Sequence, residues 1–218
     1  MAELIALRLE GLLQSWGETS AWDNRGTAAF PTKSAIVGLI ACAMGLERGD
    51  PRILELSQSV TIGIRADRQG EMMLDYQTVQ GMPKILNAEG KPRGDTIVTP
   101  RWYLQDASFL VVIQTAAEWQ KKIEQAMQAP VWCLYLGRKN CVPSRPFWDG
   151  IHTEYASIEE AICRYPAAER ADTEMSYEVE SAIEDSSSLS RPDILSGERK
   201  FERRTVWRGI VRREERCI

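Results

Sequence analysis

Histidine is almost missing from this chain: His152 stands alone among 218 residues. A single imidazole argues against most metal centres and His-based triads. The run His152-Thr153-Glu154 carries the H-x-E of zinc deaminases, but the P-C-x-x-C that must accompany it is absent. Cysteine is sparse and unpatterned: Cys42, Cys133, Cys141, Cys163 and Cys217 contain no C-x-x-C pair. Such a set predicts reduced thiols in a cytoplasm rather than a disulfide framework. Met1-Ala2-Glu3 has neither the basic start nor the apolar stretch of a secretory signal. No apolar run reaches the roughly 18–20 residues of a membrane span. The glycines that should precede Lys33-Ser34 in a phosphate-binding loop are replaced by Phe30-Pro31-Thr32, which excludes a nucleoside triphosphate pocket. No group of carboxylates has a spacing suited to general acid–base work, and no cofactor is expected.

Net positive charge is also lacking. The balance is −4, which argues against a protein that slides freely on nucleic acid. Charge is segregated, however: residues 169–185 are mainly acidic and 199–216 mainly basic. A local basic strip is therefore available.

What the chain does have is one apolar helix with a polar mouth. Thr32-Lys33-Ser34 precedes Ala35 to Met44, with Gly45 placed to end the helix. Unpaired N–H groups, a positive dipole end, a Lys and a Ser predict an anion site at this mouth. Asp50-Pro51 starts a second helix, with Asp as cap and Pro at the first turn. Ile5, Leu7 and Leu9 alternate as a first strand, and Val60, Ile62 and Ile64 as another. Glu71 to Val79 is expected to pair with the latter through the turn at 67–70. Trp102 to Gln114 reads as one long strand, Ala116 to Gln128 as a helix and Val131 to Leu136 as a further strand. Ser157 to Cys163 suits a short helix, 181–197 a polar mobile segment, and Thr205 to Val211 a closing strand.

Residues 80–101 break the pattern with Gly81, Pro83, Gly90, Pro92, Gly94 and Pro100. They predict an exposed insertion carrying Lys84, Lys91 and Arg93. Trimmed of it, the order matches the ferredoxin-like βαββαβ plan. The expectation is an α+β protein: a ferredoxin-like domain of the RRM type over 1–145, interrupted by the insertion. Residues 146–218 form a C-terminal extension, partly mobile near 181–199. Gly137-Arg138-Lys139-Asn140 follows a predicted strand and offers close backbone approach, charge and a base-reading amide. Trp16, Trp22, Tyr76, Trp102 and Tyr103 lie near these loops and could stack on single-stranded bases. Each aromatic also suits ordinary core packing.

Five blocks, in order, resemble one family: Leu9-Glu10-Gly11-Leu12-Leu13-Gln14-Ser15-Trp16-Gly17, Phe30-Pro31-Thr32-Lys33-Ser34, Asp75-Tyr76-Gln77-Thr78-Val79, residues 102–109 and Tyr135-Leu136-Gly137-Arg138-Lys139-Asn140-Cys141. They are similar to the CasD family of the type I-E CRISPR surveillance complex, Cascade. The resemblance implies a RAMP-like ferredoxin fold whose insertion is a thumb, and a non-catalytic subunit that holds the 5′ handle of the CRISPR RNA. It implies contacts to a CasC-like backbone subunit and a CasA-like large subunit, with target DNA met only through the assembled complex. The RNA-binding surface so implied comprises Gln14, Trp16, Thr32, Lys33, Ser34, Tyr76, Arg101, Trp102, Gly137, Arg138, Lys139 and Asn140. Lys84, Lys91 and Arg93 would serve the thumb. Relatives in another subtype are metal-independent endoribonucleases, so RNA processing by Lys33, Lys139 or Tyr76 is an alternative, as is a protein scaffold without RNA contact.

Overall fold

The computed structural model describes residues 3–18, 24–81, 85, 86, 89–92, 96–181, 188–197 and 200–213. Trp22, Lys84, Arg93, Cys217 and the serine-rich stretch 182–187 lie outside the described residues. The chain runs β1 (Leu4–Glu10), β2 (Leu13–Gln14), α1 (Lys33–Ala43), α2 (Pro51–Ser59), β3 (Thr61–Arg68), β4 (Glu71–Val79), β5 (Ile97–Gln105) and β6 (Ser108–Gln114). It continues through α3 (Ala117–Gln128), β7 (Trp148–His152), α4 (Ile158–Arg164), β8 (Glu174–Glu180), β9 (Leu189–Gly197) and β10 (Lys200–Arg212). It is a mixed α/β fold built on antiparallel sheets: seven strands in the order β7-β1-β6-β3-β8-β10-β9, and three in the order β2-β5-β4.

The large sheet is covered on both faces, which is why its central strands are apolar at nearly every position. Ile5, Leu7 and Leu9 of β1 face the core shared with Ile36, Ile40 and Ile123 of α1 and α3. Leu4 and Ala6 face the opposite way, onto Ile158, Ala161 and Ile162 of α4. Beside α4, Asp67 is fully buried and binds the guanidinium groups of Arg8 and Arg65. Its Oδ2 also accepts the Ala168 N–H at 2.6 Å, so three residues donate to one buried carboxylate.

Several expectations are corrected. β4 does not pair with β3. β3 lies between β6 and β8 and has no free edge. Gly70, at φ +73, turns the chain away, and β4 pairs with β5 from Glu71↔Gln105 to Val79↔Ile97. Residues 102–114 are two strands in two sheets, because Asp106 takes φ +53 between them. Val131 to Leu136 is not a strand: Val131 and Trp132 are exposed, and the segment is tied by the Val131 N–H to the Ala43 carbonyl at 2.9 Å. The place beside β1 is taken by β7, so the sheet continues past residue 145. Leu189–Gly197 is strand β9, and the closing strand is the longer β10.

Candidate nucleic-acid interface

The blocks around Ser15, Trp102 and Gly137 meet in one place. Gln14 is fully buried; its side-chain amide donates to the carbonyls of Leu9 (3.2 Å) and Ala107 (2.7 Å) and accepts the Trp16 indole N–H at 3.2 Å. Trp16 is buried in the core. Both are therefore spent inside the fold, which corrects the expectation that they touch RNA. Their effect is to fix Ser15. The Ser15 N–H donates to the Leu136 carbonyl at 3.1 Å, and its hydroxyl to the Trp102 carbonyl at 3.3 Å. Gly137, at φ +88, lies so close that an added Cβ would sit 1.8 Å from the Ser15 carbonyl oxygen. Only glycine fits there.

The loop beyond Gly137 is anchored as firmly. Arg138 Nη2 donates to the carbonyls of Arg25 (2.9 Å) and Gly26 (3.3 Å), and its guanidinium lies 4.6 Å from the centre of the Tyr103 ring. The Asn140 amide donates to the Tyr103 hydroxyl at 2.9 Å. Arg25 in turn joins β5 through Pro100 and Trp102. Three arginines, 25, 101 and 138, are thus gathered by backbone contacts. Arg101 Nε and Arg138 Nη1 are buried donors with no hydrogen-bond partner. Lys139 is exposed beside them.

The mouth of α1 differs most from expectation. Thr32 caps the helix, its hydroxyl accepting the Ala35 N–H at 3.2 Å. The Lys33 N–H, however, donates to Asp193 Oδ2 at 2.8 Å. The Lys33 ammonium is buried against both oxygens of Glu180, at 2.8 and 3.0 Å. Asp193 is held from behind by a bidentate pair with Arg204 at 2.6 and 2.9 Å. The anion site is real, but the chain's own carboxylate fills it. Thr32 and Lys33 are thus buried and bonded within the fold.

The open part of α1 is the stripe Ser34, Ala35, Gly38 and Cys42; the first three floor a cleft of about 670 Å³, and Cys42 lies in the hollow beside it. Arg48, Ile53 and Phe201 stand around it. A neighbouring hollow of about 380 Å³ shares Ala35, Gly38, Arg48 and Gly137, and adds Trp132 and Tyr135. Asp50, at the rim, caps α2; the side chain and N–H of Arg52 hold its carboxyl below the usual range. The RNA surface expected from the sequence omits Arg48, Trp132 and Tyr135, the last of which appears only as the first residue of the fifth block. The available signal was the i, i+4, i+8 spacing of Ser34, Gly38 and Cys42, which puts small residues on one face of a helix whose other faces carry Ile36, Val37, Leu39 and Ile40. Tyr76 and Trp102 lie elsewhere, on one face of the three-stranded sheet with the exposed Met72 and Leu74. Of Lys84, Lys91 and Arg93 only Lys91 is described, and it is exposed. Among the described residues no group of three or more His, Cys, Asp or Glu could hold a metal ion.

The family model for CRISPR-associated protein (Cas_Cas5) matches residues 4–213. The chain belongs to this family. It is 34% identical over 163 residues to the CRISPR system Cascade subunit CasD of Escherichia coli (strain K12), covering 69% of this chain and 71% of that one. A solved structure described as a crystal structure of a Cas protein superposes with a TM-score of 0.76 at 30% identity, covering 97% and 96% of the two chains. A chain from a CRISPR RNA-guided surveillance complex also gives 0.76, at 29% identity, covering 96% and 90%.

Proposed function

We propose that the chain is a non-catalytic subunit of a Cascade-type surveillance complex that grips the 5′ handle of the CRISPR RNA and caps the backbone filament. The observation that carries this is the α1 cleft. It is floored by small residues and edged by Arg48, adjoins a smaller hollow walled by Trp132 and Tyr135, and reaches Gly137, whose loop bears Arg138 and the exposed Lys139. Flat rings and cations around an open trough suit unstacked bases and a phosphate backbone. Ser34 and the Gly137 backbone lie in that trough.

Around it, β7-β1-β6-β3 with α1 and α3 as crossovers supports a ferredoxin-like unit in the order 4-1-3-2, ending with β7. The β4–β5 ribbon and residues 80–101 serve as the thumb. Its apolar face of Met72, Leu74 and Tyr76 suits a CasC-like backbone subunit. The CasA-like subunit and target DNA are met in the assembled complex. No helix among the described residues is long and apolar enough to cross a membrane, which accords with work in the cytoplasm. RNA processing has no comparable support, since His152, on the outermost strand β7, has both ring nitrogens engaged by Glu154, Asp149 and Tyr165.

The test is a salt titration of handle-RNA affinity in EDTA. Lys139→Gln and Arg48→Gln should each weaken binding and shallow the log–log slope by about 0.7, the loss of one phosphate on a single strand. The RNA should stay intact. Unchanged slopes with both variants favour the scaffold; cut RNA favours the nuclease.

A further inference from the structure

Cys42 and Cys133 are neighbours: Cys42 lines the smaller hollow beside α1, and Cys133 follows Trp132 in the wall of that hollow. Cys42 lies on the open stripe of α1, and its Sγ is 3.7 Å from the carbonyl oxygen of Cys133 in the 129–147 loop. A carbonyl oxygen sits about 2.4 Å from its own Cα. The Cys133 Cα is therefore within about 6.1 Å of the Cys42 sulfur. Bond lengths and angles of a formed disulfide place that pair about 3.5–4.5 Å apart, so closure needs an approach of at most about 2.6 Å with the Cys133 side chain turned toward Cys42. The loop can supply it. It is irregular, and Cys133 stands between two backbone anchors, at Val131 and Leu136, in a stretch whose Trp132 is exposed. The remaining described thiols are placed elsewhere: Cys141 is buried beside Asn140, and Cys163 lies on α4, across the large sheet.

We propose that Cys42 and Cys133 form a reversible intramolecular disulfide, a redox-modification site whose co-substrate is a low-molecular-weight disulfide such as oxidised glutathione. Exposure assigns the order. Cys133, open to solvent, attacks as thiolate and forms a mixed disulfide, releasing one glutathione thiolate. Cys42 is half-buried, and burial together with the neighbouring Cys133 pushes its thiol up, so it is the slower nucleophile and resolves second. Its thiolate attacks the Cys133 sulfur and releases the second glutathione. Two thiols lose two protons and two electrons, and the disulfide takes up both as two molecules of glutathione. The product pins the Trp132–Tyr135 wall onto α1. The proposal stands whether or not the cleft holds RNA.

The full chain is equilibrated in a glutathione redox buffer, quenched by alkylation and mapped without reduction. The expected product has lost two hydrogens and yields one Cys42–Cys133 linked peptide. Cys42→Ser should stop at the Cys133 mixed disulfide, and Cys133→Ser should leave Cys42 alkylatable. Amide exchange over 131–136 should slow at least tenfold on oxidation. A wild-type product that stays at the mixed disulfide, a link to Cys141 or Cys163, or unchanged exchange in the linked protein would overturn it.

Discussion

Replacing Lys33 with methionine separates a cation that holds the fold from one that holds RNA. The ammonium is 4% exposed and sits 2.8 Å from a Glu180 carboxylate that is 18% exposed. Methionine fills the same channel and removes the charge, leaving Glu180 with only the Ile62 N–H, at 3.3 Å. Breaking a buried pair by removing one partner costs about 3–5 kcal/mol. Because Glu180 keeps some solvent and one donor, the loss should fall at about 2–3 kcal/mol. In a chain of this size that lowers the melting midpoint by roughly 5–10 °C. Removing both charges, as Lys33→Met with Glu180→Gln, should recover about 1–2 kcal/mol, since the pair rather than either member carries the coupling. Urea unfolding of the four proteins supplies the cycle. The salt slope of handle-RNA affinity should not change in the folded Lys33→Met protein. Stability within about 0.5 kcal/mol of wild type, together with a slope shallower by about 0.7, would refute the assignment and return Lys33 to the phosphate backbone.

Gly137→Ala should lose about 2–4 kcal/mol by urea unfolding. The left-handed conformation costs a side chain about 1–2 kcal/mol, and the added methyl meets the Ser15 carbonyl, which is rigid backbone; a change under about 1 kcal/mol would mean the Ser15–Gly137 contact yields freely. Glu160 reports on acid stability. The Ala156 N–H, then the Arg164 side chain, hold its carboxyl below the ordinary 4.5. A depressed folded-state value stabilises above the unfolded one and is lost as pH falls through the folded one. The urea midpoint of Glu160→Gln should therefore lie below wild type at pH 6 and converge with it as the pH falls through the folded-state value; a constant gap would show that the charge is not responsible.

Local chemistry was legible where one short segment decides the outcome. Thr32, Asp50 and Ser157 cap the helices they were expected to start, with Pro51 in the first turn of α2. Gly45, at φ +69, ends α1. The alternation in β1 correctly divides two cores. What escaped was non-local or disguised. Asp106, at φ +53, divides residues 102–114 into two strands without glycine or proline, because aspartate tolerates the left-handed region. Val131 to Leu136 has strand composition, but its backbone bonds to a helix end and to Ser15 instead of a ladder. The α1 mouth looked like a site for a foreign anion, and no local rule could reveal that Asp193, 160 positions on, completes it. The cleft was half visible: Gly137 and its basic neighbours stood out, whereas Arg48 and the aromatic wall acquire meaning only when folding sets them around the small residues of α1.

The most direct measurement is photocrosslinking of a handle RNA carrying 4-thiouridine, in the complex co-expressed with its backbone subunit, followed by peptide mapping. Crosslinks should fall on 131–140 and on the 47–54 segment beside α1. Crosslinks confined to the β8–β10 face, or a chain that co-purifies with the backbone subunit yet crosslinks to no RNA, would contradict the account.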